Sequence, residues 1–288
     1  MSDQLRRRSV GAPATRSMLL TILGEYVLSR PGIWQETLVA ALAAMGYKEQ
    51  AARQAISRSI GEGWLTTERH GRRARISLAP ETASMLSEGA GRIYAFGQPW
   101  AWDGRWLLVV VRVPEQRRAV RHQMRTRLAW AGFGSLGGGL WISPHVDRES
   151  EISSIRSNGL TAEMLSFEAE LGTIGEPEKV IAQAWNLEQV AAHYEAFLAD
   201  FTGLRPRSAQ AAFAAQTAMV HAWRKFPFLD PDLPQRLLPR RWPQQRAYAL
   251  FHEQHRRWHD QAQAYFSGLE ESGAAARGSS KSSRTASK

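Results

Sequence analysis

Between Lys48 and Glu62 the chain reads as a helix with two chemically different faces. Ala52, Ala55 or Ile56, and Ile60 recur at helical spacing and make an inward stripe of small and apolar side chains. Gln50, Arg53, Gln54, Ser57 and Arg58 fall on the other side. These types suit a nucleic-acid duplex. Arginine offers two donors to a guanine edge, glutamine pairs with adenine, and arginine and serine reach phosphate oxygens. The small inward residues let the helix sit close to the one before it. Downstream, His70-Gly71-Arg72-Arg73 reads as a turn between two short strands, with Arg75 on the returning strand. His70, Arg72, Arg73 and Arg75 would then reach an adjacent groove or its phosphates. Residues 48–75 hold seven Lys or Arg against three Glu. A solvated basic helix and turn is the bland alternative; helix order, turn and charge together favour DNA.

Other constellations carry less. His252, His255 and His259 could share one face of a late helix as metal ligands, but Arg256, Arg257 and Trp258 lie among them, and an exposed polar face is the expectation. Gly132-Phe133-Gly134-Ser135-Leu136-Gly137-Gly138-Gly139 lacks the Gly-Lys-Ser/Thr ending of a nucleotide loop and precedes a strand, which makes it a connector. Arg117, Arg118, Arg121, Arg125 and Arg127 line the polar side of a helix over 114–130. That face is either solvated or set against phosphates of DNA or a ligand.

The elements that would position these residues fall into three blocks. The first domain, 17–97, opens with a helix capped by Ser17 that runs to Tyr26–Leu28 and breaks at Ser29-Arg30-Pro31-Gly32. Helices over 35–45 and 48–62 follow, then strands over 63–67 and 74–78, and a helix to Ala95. Three helices and a basic hairpin are the order of a winged helix-turn-helix. The middle domain, 98–172, reads as a strand over 106–113, the basic helix, a strand over 140–144, a helix over 147–157 and a strand over 160–167. That order resembles most of a ferredoxin-like sandwich. The third block, 173–272, is helical around a proline-rich stretch from Pro227 to Pro243. The fold class is therefore α+β, with a winged helix-turn-helix, a central ferredoxin-like α/β domain and a C-terminal helical domain.

The net charge is +10 in 288 residues. Residues 1–16 carry +3, residues 274–288 carry +4, and the rest carry +3. Segments 1–16 and 273–288 read as disordered basic tails that would strengthen contact with any polyanion. With no cysteine, disulfides, thiolate metal sites and cysteine nucleophiles are excluded. No run of 18 uncharged apolar residues exists, and the arginines at 6–8 are not followed by a signal-peptide pattern. The expectation is a cytoplasmic protein with no membrane partner.

Several segments, taken in order, resemble the PaaX family of phenylacetate-catabolism repressors. They are Gly24-Glu25-Tyr26-Val27-Leu28, Ala52-Arg53-Gln54-Ala55-Ile56-Ser57-Arg58, Glu62-Gly63-Trp64-Leu65, Trp102-Asp103-Gly104-Arg105-Trp106, Gly132-Phe133-Gly134, Gly139-Leu140-Trp141-Ile142-Ser143-Pro144, and Phe226-Pro227-Phe228-Leu229-Asp230-Pro231-Asp232-Leu233-Pro234 with Trp242 beyond it. The resemblance spans about residues 17–269. It implies a homodimer that binds double-stranded operator DNA, no enzymatic activity and no cofactor, and release from DNA by phenylacetyl-CoA or a related aryl-CoA. It also implies a middle domain similar to the small ferredoxin-like nucleases of CRISPR adaptation, so the rival function is a metal-dependent nuclease centred on Asp103. One carboxylate is a poor magnesium site, and Asp-Gly is a common turn. For an aryl-CoA, the residues expected at the effector site are Trp223, Arg224, Arg240, Arg241 and Trp242, which combine aromatic surface with cations for phosphates; core packing is the alternative for the aromatics.

Overall fold

The computed structural model describes residues 14–149, 152–153 and 162–275. Residues 1–13 and 276–288 of the expected tails, and most of the helix expected over 147–157, lie outside the described residues. The chain divides into two compact units. One takes in the described residues up to Tyr94, Leu198–Trp223 and those from Ala249 onward; the other takes in Ala95–Phe197 and Arg224–Tyr248. The helices read from sequence as one C-terminal block are thus divided between two cores.

In the first unit, α1 (Thr15–Ile22) starts two residues before the expected Ser17 cap and runs on into a π-helical turn, Leu23–Val27. A two-residue strand, β1 (Ile33–Trp34), leads into α2 (Gln35–Ala44) and α3 (Glu49–Gly61). Then come β2 (Leu65–His70), β3 (Arg73–Leu78) and α4 (Pro80–Ala95). The sheet order is β1-β3-β2, all antiparallel, with Ile33 opposite Ile76 and Trp34 opposite Arg75. The end of α3 is set by Gly63, whose φ of 75° closes the helix: its N–H donates to Ile60 O at 3.0 Å and the Trp64 N–H to Ser59 O at 2.9 Å.

The core of this unit joins Leu19, Ile22, Leu23, Leu38, Leu42, Ala52, Ile56 and Ile76 with Phe213, Ala262 and Phe266 from far along the chain. Each fully buried Leu or Ile contributes about 1.5–3 kcal/mol by leaving water. The distant residues lie on α8 (Ala209–Trp223) and α9 (Gln244–Ala275). Tyr26 is enclosed between Phe213 and Phe266, ring centroids 4.9 and 5.1 Å away, with its hydroxyl 3.1 Å from Thr217 Oγ1. Burial pushes that phenol above its ordinary pKa. One turn further along α9 from Phe266, Glu270 Oε2 accepts from Trp34 N at 3.2 Å and Thr37 Oγ1 at 2.6 Å. From Ala211 to Trp223 helix α8 has no exposed residue, which identifies it as a central core helix.

The second unit holds β4 (Arg105–Arg112), α5 (Arg118–Trp130), β5 (Gly134–Gly137), β6 (Leu140–Ser143) and β7 (Glu163–Glu170). The sheet order β5-β6-β4-β7, antiparallel throughout, is the split arrangement of a ferredoxin-like sandwich. The fourth strand, β5, lies inside the glycine-rich stretch expected to be a connector. Glycine is poor in β-propensity, yet here closeness demands it: a Cβ on Gly134 would lie 2.5 Å from Ala184 Cβ and 2.6 Å from Trp185 Cε2. Leu107, Val109 and Val111 pack on one face with Met124 and Leu128 of α5. Trp106 and Ile142 face the other way, onto Ile181 of α6 (Pro177–Ala184) and Leu233. Tyr194 of α7 (Leu187–Phe201) stacks on Phe226 at 4.1 Å and donates its hydroxyl to Asp230 Oδ2 at 2.6 Å, which ties down the proline-rich stretch.

Candidate nucleic-acid interface

Helix α3 is divided as its residue types dictate. Ala52, Ala55, Ile56 and Ser59 are buried, and the Ser59 hydroxyl donates to Ala55 O at 2.9 Å rather than facing solvent. Gln50, Arg53, Gln54, Ser57 and Arg58 are all exposed. All but Arg58, together with Glu49, line one shallow concavity of about 560 Å³. Arg53 is held by Glu49 one turn earlier, at 2.8 Å. Among the described residues Arg58 makes no ion pair or side-chain hydrogen bond, so its guanidinium keeps all its donors for an incoming group.

The hairpin sorts its cations differently from the sequence expectation. Register places Arg73 opposite His70 and Arg75 opposite both Glu68 and Trp34. Period-two alternation therefore puts Arg73 and Arg75 on one face, beside the Trp34 ring. The Arg73 guanidinium lies 4.1 Å over that ring and 3.3 Å from Glu36 Oε2. Arg75 lies 5.6 Å from the same ring and donates to Gly32 O at 2.9 Å. Both are only partly exposed and serve to fasten the wing to β1 and α2. Arg72, at the turn, and Arg69 are exposed and take no ion pair among the described residues. His70 is exposed, 3.3 Å from Glu68, with its ring edge-on to Trp34 at 5.8 Å. Arg69 was missed by a sequence reading that weighed charge near the turn but not strand parity. In the second unit, Arg117, Arg118, Arg121 and Arg125 are exposed on or beside α5, while Arg127 is half-buried.

The residues expected at an effector site do not share one surface. Trp223 is fully buried in the first unit, stacked on Phe251 at 4.7 Å, with its indole N–H donating to Ile93 O at 3.0 Å. It is core, and no ligand reaches it without unpacking that unit. The other four belong to the second unit. Arg224 is half-buried, and burial pushes its guanidinium pKa down. Trp242 is half-buried and edge-on to Tyr194 at 6.1 Å, and Arg240 and Arg241 are exposed. Sequence reasoning passed over a better-formed cleft in that unit. It has a volume of about 490 Å³ and is lined by Trp100, Trp102 and His145 together with Asp103, Asp147 and Asp232. Trp100 stacks on His145 at 4.3 Å. Burial, assisted by Arg148, lowers the His145 pKa to about 4, so the imidazole is neutral at neutral pH. A second hollow of about 480 Å³ shares the two tryptophans and adds Gln235 and Arg236, whose guanidinium lies 4.2 Å over Trp102.

Asp103 is committed to a turn. Its Oδ1 accepts the Arg105 N–H at 2.9 Å and its Oδ2 the Arg105 Nε at 2.7 Å. Those bonds hold the exposed carboxyl below the usual range. Among the described residues it belongs to no cluster of potential metal ligands. The late histidines are not an exposed polar face: His252, His255 and His259 are each partly buried. Among the described residues no helix is long and apolar enough to cross a membrane.

Comparison with known proteins agrees with this architecture. Residues 14–82 match the PaaX-like protein family, 99–181 the PaaX protein central Cas2-like domain, and 185–268 the PaaX-like protein C-terminal domain. The transcriptional repressor PaaX of Escherichia coli strain K12 is 30% identical over 238 residues, covering 78% of this chain and 74% of that one. An uncharacterized protein of Mycobacterium tuberculosis, Rv0674, shares the fold with a TM-score of 0.59 at 23% identity, over 88% of this chain and 99% of its own.

Proposed function

The chain belongs to the PaaX family and is a DNA-binding transcriptional repressor rather than an enzyme, and from that premise we propose that it represses an aromatic-acid catabolic operon of the phenylacetate type and leaves its operator when an aryl-CoA thioester binds. The observation that carries the DNA-binding part is the exposed Gln50, Arg53, Gln54, Ser57 and Arg58 face of α3, backed by a buried alanine stripe and flanked by a wing with Arg69 and Arg72 at its tip. Working in the cytoplasm as a homodimer, the repressor sets two copies of α3 in successive major grooves, about 34 Å apart. Phosphate contacts from the wing fix register, and the α3 side chains read base edges. Occupancy of the promoter excludes polymerase.

For the effector, the Trp100–Trp102–His145 cleft is the proposed seat of the aryl ring, in place of the Trp223–Trp242 set. Two indoles and a neutral imidazole give the cleft, which is of ligand size, an aromatic, polarisable side on which an aryl ring can stack. The aspartates that line it repel phosphates, so the CoA diphosphate is assigned to the Arg236 side of the tryptophans. Release requires that the thioester bind the DNA-incompetent state more tightly. The test is a gel shift on the adjoining promoter, titrated with a panel of acyl-CoA thioesters, using wild type, Trp100→Ala and Arg236→Ala. Retardation should be relieved by an aryl-CoA and not by acetyl-CoA, and each variant should still bind DNA but need at least about tenfold more effector, the cost of roughly one lost stacking or charged contact. Absence of a shift removes the operator reading. A shift that no aryl-CoA relieves removes the effector reading alone.

A further inference from the structure

Within the first unit, the π turn Leu23–Val27 carries Glu25, whose side chain is 6% exposed and is gripped from several elements. A π turn inserts a residue into the helical register and is often found where a side chain has a task. Glu25 Oε1 accepts from Gln216 Nε2 at 2.8 Å and is 2.7 Å from His255 Nε2. Glu25 Oε2 accepts the Tyr94 hydroxyl, which is also 3.2 Å from His255 Nε2. One turn further along α9, the His259 ring lies 5.5 Å from that of His255. Its Nδ1 is buried and has no hydrogen-bond partner among the described residues. One ligand atom each from Glu25, His255 and His259 fall within 4.8 Å of one another.

Two imidazoles four residues apart on one helix, facing a carboxylate from another, are the donor set of borderline divalent metals. A buried ring nitrogen without a partner calls for an explanation, and a cation supplies one. The short contact between His255 Nε2 and Glu25 Oε1 holds a proton in the metal-free protein, and a cation would replace that proton between the same two atoms. Bonds of about 2.0–2.1 Å put tetrahedral ligands about 3.4 Å apart, so loading would part the Glu25 and His255 ligand atoms by about 0.7 Å and draw His259 in toward them. Gln216 and Tyr94 stand where outer hydrogen bonds orient a ligating carboxylate.

We propose that Glu25, His255 and His259 form a binding site for a divalent cation of the zinc type, with one coordination position left to water. The ion would pin the C-terminal helix to the first helix of the DNA-binding domain. The test uses the full chain, stripped with chelator and titrated with Zn²⁺ against a chromophoric competitor, and in parallel with Co²⁺ monitored by its visible absorption. Wild type should take up one equivalent of Zn²⁺ per chain, and Co²⁺ should give the intense band of a four-coordinate site. Glu25→Gln and His259→Ala should each weaken Zn²⁺ binding at least tenfold, while His252→Ala leaves it unchanged. Failure of the wild type to bind an equivalent, or unchanged affinity in His259→Ala, overturns the site. His259 makes no hydrogen bond among the described residues, so its removal should leave the circular dichroism spectrum intact and decides the matter even if Glu25→Gln does not fold.

Discussion

Arg72 and Arg73 are adjacent in sequence, yet their replacement by alanine should fail in opposite ways. The Arg73 side chain is 16% exposed, sits 4.1 Å over the Trp34 ring and pairs with Glu36 at 3.3 Å. A partly desolvated cation–π contact is worth about 0.5–2 kcal/mol and a half-exposed ion pair about 0.2–1 kcal/mol. Arg73→Ala should therefore cost about 1–2 kcal/mol of stability, equivalent to a melting temperature lower by about 2–8 °C. Arg72 makes no ion pair within the described structure, so Arg72→Ala should leave melting unchanged. Its loss appears on DNA. Each phosphate contact contributes about 0.9 to the slope of log affinity against log salt. Between 50 and 200 mM salt that is about 3.5-fold per contact, or about 12-fold for the two wings of the dimer proposed above. Fluorescence anisotropy across that salt range, beside thermal melts of the same preparations, reads both quantities. If Arg73→Ala melts like wild type and flattens the salt slope as much as Arg72→Ala does, the division of the wing into a clamp and a phosphate contact is wrong.

Arg58→Ala should cost about 1–3 kcal/mol in operator affinity, concentrated at one base position, if it pairs with a guanine edge; binding to a randomised operator library should show relaxed preference there, and a uniform loss would reassign it to phosphate. Asp230 is completely buried, and burial raises its pKa to about 7 despite bonds from Tyr194 and the Asp232 amide. The native carboxyl thus keeps a proton that the unfolded chain loses near pH 4, so its stabilising contribution is full below pH 4 and is withdrawn as pH rises through 7. Compared with Asp230→Asn, whose side chain does not titrate, wild type should lose about 4 kcal/mol of relative stability between pH 4 and 8 in urea unfolding, and parallel curves for the two proteins would refute the shift.

Helix α3 was readable because its two faces differ in residue type, and burial follows that division residue by residue from Ala52 to Ser59. The wing was readable as a turn. The roles of Arg73 and Arg75 were hidden because β1 is only two residues long, too short to leave a periodic trace, and it supplies the Trp34 that engages them. β5 escaped because glycine spacing there answers to Ala184 and Trp185, which are about fifty residues away. Trp223 shows the opposite error. An indole near arginines has the chemistry of a ligand slot, but only packing shows that it is sealed against Phe251. The cleft at Trp100 could not be assembled from sequence because His145 and Asp232 reach it from separate segments.

The hydrogen bonds from Trp34 and Thr37 to Glu270, and the seating of Tyr26 between Phe213 and Phe266, bear on how the repressor comes into being. Its first unit is finished by residues synthesised roughly two hundred positions later. A nascent chain on the ribosome, or a product cut short by a premature stop codon, has α1 to β3 without the helices that complete their interior. Such fragments leave the Tyr26 ring uncovered and are open to proteolysis. The interior of the first unit is therefore complete only in a chain that extends through α9.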